Sequence, residues 1–406
     1  MSKRTAFIIF SVLMYANCIA QSANDRYDSA VVKMKSGDIN GAIVLFTKVV
    51  DQSPYYFDAW LDRGRCYDTL SKPDLALADY NKAIEKKPDY YQAFYYRGNL
   101  YEKKKDDKSA IADFTTAIKY KPKFYPAYLK RAEIYIKLAK YDLAVADYTS
   151  CISQKPDSCS NYYLRGLANI KAKKTNLALA DFTKTIELNP NHANAYYYRG
   201  FLNDSLGNSD DAIKDFSKAI ALNIASQKIY SARAVAYYNK GEYQLASSDY
   251  TIIITTYKSK SQDDFLKRGI CYVNTANYDL AIKDLSKAIT LKALDETPYI
   301  YRAFAYEKQN KTAAAIADYN KAILMNPDNG LAYEKRGSMY FDQKKYALAL
   351  TDLDKAIKLK PTGDAYFLRG AIKDMNGDSK GACDDLKAAS DMGNKEAKEK
   401  AAKYCY

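Results

Sequence analysis

An arginine returns along this chain at a nearly constant interval: Arg63, Arg97, Arg131, Arg165, Arg199, Arg233, Arg268, Arg302, Arg336 and Arg369. The spacings are 34 residues five times, then 35, 34, 34 and 33. A catalytic arginine is needed once, whereas a residue recurring at this period belongs to a repeated structural unit. Each arginine is followed by a small residue, as at Gly64, Gly98, Ala132 and Gly370. Three residues earlier stands an aromatic, from Trp60 and Phe94 to Tyr333 and Tyr366, and thirteen residues later an alanine, from Ala76 to Ala382. Aromatic, arginine and small residue, then usually tyrosine (Tyr67, Tyr101, Tyr135), fall at helical spacing and mark one packing face. A polar turn such as "KKKDDK" follows. A second amphipathic stretch, "SAIADFTTAIKY", then carries Ala110, Phe114 and Ala117 on one stripe. Proline closes many of these second stretches (Pro88, Pro122, Pro156, Pro190, Pro327, Pro361), because it cannot continue a helical hydrogen-bond ladder. The unit is a helix–turn–helix in which small residues admit close approach and aromatics fill the space between successive pairs.

The stretch "WLDRGRCYDTLSKPDLALADYNKAIEKKP", Trp60 to Pro88, resembles the tetratricopeptide repeat in its aromatic, Gly, Tyr, Ala, aromatic, Ala and Pro positions. A weaker first copy lacks the Arg-Gly pair but keeps Ala42, Phe46 and Pro54. The resemblance implies an all-α fold: a right-handed α-solenoid, or superhelix, of about eleven helix-turn-helix repeats over 23–393. A C-terminal capping helix is expected over 394–406. It fixes architecture better than biology, because such repeats serve unrelated functions.

Sixteen residues after each arginine stands an aspartate: Asp79, Asp113, Asp147, Asp181, Asp215, Asp249, Asp284, Asp318, Asp352 and Asp385. Folding the chain at the turn between them brings the two level on facing helices. An arginine is long and planar enough to meet the carboxylate bidentately. The expectation is a structural ladder of Arg–Asp pairs, within a repeat or to its neighbour, rather than ten ligand-binding arginines.

A site is best sought where the regular pattern breaks. In the family resembled, the first helices line the concave surface where partners dock, with one groove-facing side chain two residues after each arginine. Early repeats place Arg65, Asn99 and Glu133 there; the middle ones change to Leu167, Phe201, Val235, Ile270 and Phe304. With Tyr163 and Tyr197 two residues before the arginines, and Ile170, Tyr238 and Val273 one turn further on, these form an apolar, tyrosine-edged stripe. Such a stripe suits an extended peptide or an amphipathic helix. Burial against neighbouring first helices is the competing reading. Lys103, Lys137, Lys171 and Lys308 recur six residues after their arginines and form a candidate basic rail for an acidic peptide or polysaccharide, or equally a row of solvated helix ends. The carboxylate clamp of some family members is not matched: Tyr95, Asn99 and Lys130 leave out its lysine and second asparagine.

The segment "TIIITTYKSKSQDD", 251–264, places six β-branched residues where a helix should run and lacks the closing proline. β-Branching lowers helix propensity, so a looser joint is expected there.

Catalysis and cofactors find little support. His192 is the only histidine, no phosphate-cradling glycine loop appears, and no metal-ligand spacing is present. The expectation is a non-enzyme without metal or cofactor. The net charge of +14 favours acidic partners, but no basic block reads as a nucleic-acid arm; Lys103 to Lys105 run straight into Asp106 and Asp107. At the N-terminus, Lys3 and Arg4 precede an apolar run, Ala6 to Tyr15, too short to span a bilayer, and Cys18-Ile19-Ala20 offers a cleavage site. Residues 1–20 are expected to be a signal peptide cut after Ala20, giving an exported chain of the periplasm or cell envelope without a membrane span. A lipidated Cys18 competes but is poorly served by Asn17 and Tyr15.

In an exported chain disulfides can persist. Cys66 and Cys271 occupy equivalent interior places and are expected to be free; Cys151 and Cys159 flank a turn and could bridge. The tail from Gly377 resembles the ending of many exported bacterial repeat proteins, and Cys383 and Cys405 are the candidates for a disulfide pinning its cap. The functional expectation is a non-catalytic scaffold or assembly factor binding peptides or helices along its inner surface. The alternative is a platform for acidic envelope polysaccharide.

Overall fold

The computed structural model describes residues 23–292 and 294–405. The expected signal peptide lies outside them. All regular structure among the described residues is helical, and no described helix is long and apolar enough to cross a membrane. The chain divides into two compact units, one ending at Ala195 and the other beginning at Tyr196, inside helix Ala193–Ser205.

In the first unit a helix over 23–35 pairs with Ile39–Gln52. Four further hairpins follow: Phe57–Thr69 with Pro73–Lys86, Tyr91–Lys103 with Asp107–Tyr120, Tyr125–Lys137 with Tyr141–Gln154, and Cys159–Lys171 with Thr175–Leu188. In the second unit the hairpins have second helices Ser209–Ala221, Tyr243–Thr255, Tyr278–Leu291, Thr312–Met325, Tyr346–Leu359 and Ser379–Asp391. Their first helices from the seventh repeat onward are Gln227–Asn239, Gln262–Asn274, Thr297–Lys308, Gly330–Asp342 and Gly363–Met375, and Lys395–Tyr404 closes the chain. Within each unit, every helix packs on the one before it and the one after.

Each hairpin turn is a helix C-terminus sealed by one left-handed residue. Lys105, at φ 62°, is typical: its amide donates to Glu102 O (2.9 Å) and the Asp106 amide donates to Tyr101 O (2.9 Å), capping two otherwise orphaned carbonyls. Asp106 then starts the next helix by accepting from the Ser109 amide at 3.1 Å. Between repeats the proline forms a second turn: the Tyr90 amide donates to Lys87 O across Pro88, and Phe124 to Lys121 across Pro122, both at 3.0 Å.

The core of each hairpin is an aromatic or leucine of the second helix lying on the small residue after the arginine. A methyl group added at Gly98 would stand 2.8 Å from the Phe114 ring, closer than carbon atoms approach, so the glycine is what lets the helices meet. Phe114, Phe182, Phe216 and Leu285 are fully buried in this way.

Candidate partner-binding site

The ten arginines and aspartates meet pairwise within their own hairpins. Each guanidinium offers Nε and Nη2 to the two carboxylate oxygens at 2.6–3.1 Å, from Arg63–Asp79 to Arg369–Asp385. The aspartates are buried, at 2–5% exposure. Burial disfavours the Arg131 charge, but the hydrogen bonds and field of Asp147 more than offset this and raise its pKa.

The remaining guanidinium nitrogen reaches backward. Nη1 donates to a side chain on the second helix of the preceding hairpin: Thr47, Asn81, Thr115 and Thr149 in the first unit, and Ser217, Thr251, Ser286, Asn320 and Asp354 in the second, at 2.6–3.2 Å. The same guanidiniums lie over the aromatic three residues earlier, 4.7 Å from the Trp60 ring for Arg63 and 5.8 Å from Tyr128 for Arg131. These nine rungs therefore each join two hairpins, and all three nitrogens of their guanidiniums are engaged within the fold. The backward acceptor was visible in the sequence as a Thr, Ser, Asn or Asp after each second-helix aromatic or leucine, but sequence reasoning did not single it out.

The predicted stripe is divided by the structure. In the first unit Tyr163, Leu167 and Ile170 are half-buried, with the Tyr163 ring tilted against His192 at 4.6 Å. In the second unit Tyr197 and Phe201 pack edge-on at 4.9 Å, Phe201 rests on buried Phe216 at 5.2 Å, and the Lys228 ammonium lies over both outer rings at 5.9 and 5.5 Å. Val235, Tyr238 and Phe304 are half-buried, and burial, aided by Tyr301, pushes the Tyr238 phenol up to about 12. Ile270 and Val273 fall on the other side of the choice that the sequence left open. They retain 6% and 7% exposure within a core that includes Leu266, Leu285 and Ala305, so they are packing residues with little surface for a partner.

At the position two residues after the arginine the early repeats are polar, and Arg65 and Glu133 there are paired within the fold. Arg65 donates to Asp62 (2.8 Å) and lies over the Tyr96 ring, while Lys130 meets Glu102 at 3.4 Å and Glu133 at 3.1 Å. Two members of the basic rail join this network: Lys103 contacts Asp68 at 2.7 Å and Lys137 contacts Glu102 at 3.1 Å. Lys171 is exposed, and Lys308 lies 5.1 Å over Phe304. The four lysines therefore do not share one environment.

His192 serves the backbone: its Nδ1 accepts from the Ala195 amide at 3.2 Å and starts helix Ala193–Ser205. Cys66, Cys151 and Cys271 are buried free thiols, and burial pushes Cys66 up to about 11 and Cys271 up to about 12. Cys159 is also free, so the turn it shares with Cys151 is not bridged. Cys383 and Cys405 form a disulfide. No cluster of metal-ligating side chains occurs among the described residues.

Models of the tetratricopeptide repeat match residues 57–90, 91–124, 125–158, 160–192, 182–214, 265–293 and 302–389. The chain belongs to the tetratricopeptide-repeat family, whose folds are protein–protein interaction scaffolds and generally non-catalytic. Among curated proteins none matches the sequence. Among solved structures, that of Naa15/Naa10 bound to HypK-THB is 15% identical and covers 94% of this chain and 66% of that one, with a TM-score of 0.49. A tetratricopeptide repeat protein from Parabacteroides merdae ATCC 43184 is 23% identical, covering 60% and 97%, with a TM-score of 0.44. YrrB, described as a TPR protein with an unusual peptide-binding site, is 18% identical, covering 46% and 95%, with a TM-score of 0.42.

Proposed function

We propose that the protein is a non-catalytic scaffold or assembly factor that binds an extended peptide or amphipathic helix on the first-helix face of its second unit. One observation carries this reading: Phe201, Val235 and Phe304 are half-buried apolar side chains at the position where the early repeats carry Arg65, Asn99 and Glu133, and half-buried Tyr238 stands where two of those repeats carry the paired Asp68 and Glu102. Half-buried rings resting on a packed core can gain further burial from a partner without rearranging. Lys228 over Tyr197 and Phe201 favours an acidic residue beside the partner's apolar anchor. Export to the periplasm or cell envelope rests on the N-terminal charge, apolar run and cleavage pattern of residues 1–20.

Affinity capture from envelope extract, with wild type and Phe201→Asp side by side, tests the reading. A protein partner held by wild type and lost from the folded variant supports it. Retention by both, or a bound fraction abolished by glycan-degrading enzymes, overturns it, the latter in favour of acidic polysaccharide. Fractionation of cells producing the full chain tests location separately; uncleaved protein in the cytoplasm would remove the export part.

A further inference from the structure

The last helix, Lys395–Tyr404, is the shortest of the described helices: 10 residues, against 12–14 for those before it.

 It is also the least apolar. Among its described side chains only Ala397 is fully buried, with Ala401 and Cys405 partly so, against Leu386 and Ala389 of the final hairpin. Lys395, Glu396, Lys398, Glu399 and Lys400 are exposed, and the Lys400–Glu396 pair at 3.1 Å lies within the helix itself. Asn394 adds one hydrogen bond, from Nδ2 to Asp364 Oδ1 at 2.9 Å. A helix of this length is marginal on its own and depends on its attachment to the final hairpin. A further attachment is covalent. Cys405, one residue past the helix, is bonded to Cys383 on Ser379–Asp391, and both are partly exposed.

Through Lys400 the docked helix also borders a cleft of about 510 Å3 on the final hairpin. Phe367, Ala371, Met375 and Leu386 supply its apolar lining, Cys383 stands at its edge, and the Lys400 ammonium lies 4.7 Å over the Phe367 ring.

We propose that the Cys383–Cys405 disulfide is a thiol-responsive latch that keeps the capping helix on the final hairpin, and that its reduction releases the helix and opens the Phe367–Leu386 cleft. The chemistry is exchange with a dithiol reductant. One reductant thiolate bonds to a protein sulfur and breaks the Sγ–Sγ bond, and the displaced cysteine takes up a proton. The second reductant thiol then displaces the other cysteine, so the reductant leaves as its own disulfide and both cysteines become thiols. The latch acts at the end of the second unit and does not depend on the proposed partner face.

Hydrogen exchange on the full chain, oxidised and after dithiothreitol, tests the latch, with Cys405→Ser as a second route to the unlatched state. Exchange over 395–405 should rise about tenfold or more in both cases, while 297–359 stays unchanged. Binding of an apolar dye should rise in parallel as Phe367 and Leu386 are uncovered. Unchanged exchange over 395–405 in the reduced protein and in Cys405→Ser would overturn the proposal. So would an equal rise across all repeats of the second unit, which would make the disulfide a global brace.

Discussion

The connections between repeats differ between the two units. In the first, Pro54, Pro88, Pro122, Pro156 and Pro190 each sit inside the same bond, with the amide two residues after the proline donating to the carbonyl just before it. In the second, three successive connections have no proline. At 222–224 the chain turns through Asn223 at φ 68°, and the Ile224 amide donates to Ala219 O. At 256–261 it turns through Lys258 at φ 53°, and the Ser259 hydroxyl donates to Asp264 at 2.6 Å. Before helix Thr297–Lys308, Asp295 accepts from the Thr297 amide at 3.0 Å. The Arg–Asp rungs are nevertheless the same in both units. Hairpin register thus rests on the guanidinium bridging two hairpins, while the connection is free to vary where the first-helix face turns apolar.

The largest expected effect tests that separation. Arg131→Met in the first unit and Arg268→Met in the second each leave a buried aspartate unpaired, and each should destabilise by about 3–5 kcal/mol in urea unfolding. A loss only for Arg268→Met would show that proline turns substitute for the rung, and losses under about 1 kcal/mol in both would show that packing alone sets register. Next, Ile270→Ala should cost about 2–4 kcal/mol, and Leu167→Ala, at the equivalent half-buried position of the first unit, about half as much. Equal costs would erase the contrast between core and surface at this position.

A smaller effect concerns the β-branched helix end. Amides of Ile253 to Thr255 should exchange about tenfold faster than those of Ile118 to Tyr120, the corresponding turn before a proline connection. Equal rates would mean that Ile253, fully buried, makes up for the weak local propensity. The smallest effect is a reciprocal swap at the hairpin turns. Ala139, at φ 56°, and Gly241, at φ 76°, occupy the same left-handed position. Ala139→Gly should stabilise and Gly241→Ala destabilise, each by about 1 kcal/mol in melting experiments. Changes of the same sign would show that the surrounding turns, rather than the residue's backbone preference, decide its effect.

Much of the hairpin was legible in the sequence, because ten copies must satisfy one geometry and unrelated variation averages out. Arg97 and Asp113 could be paired from their spacing and Gly98 read as a point of close approach, whereas the aromatics were expected between successive hairpins and Phe114 instead lies on Gly98 within its own. The backward reach of Nη1 to Asn81 or Thr115 was harder to read, since the sequence left open whether a rung stays within one repeat. The stripe was least legible. Phe201 and Ile270 stand at the same register position and have similar apolar character, yet one is half-buried and the other is core. Cys151 and Cys159 flank a turn as a bridged pair might, but Cys151 points into the hairpin core and remains a free thiol.

By itself the sequence determined the period, the two helices of each unit and the arginine–aspartate spacing, because helical periodicity and turn chemistry are local and repeat in every copy. Only the tertiary structure decided which arginine nitrogen ties neighbouring hairpins, which groove-position side chains remain accessible, and how the final helix is held. Those outcomes depend on how closely one hairpin covers the next, and that distance is set by side chains some thirty residues apart in the chain rather than by any local pattern.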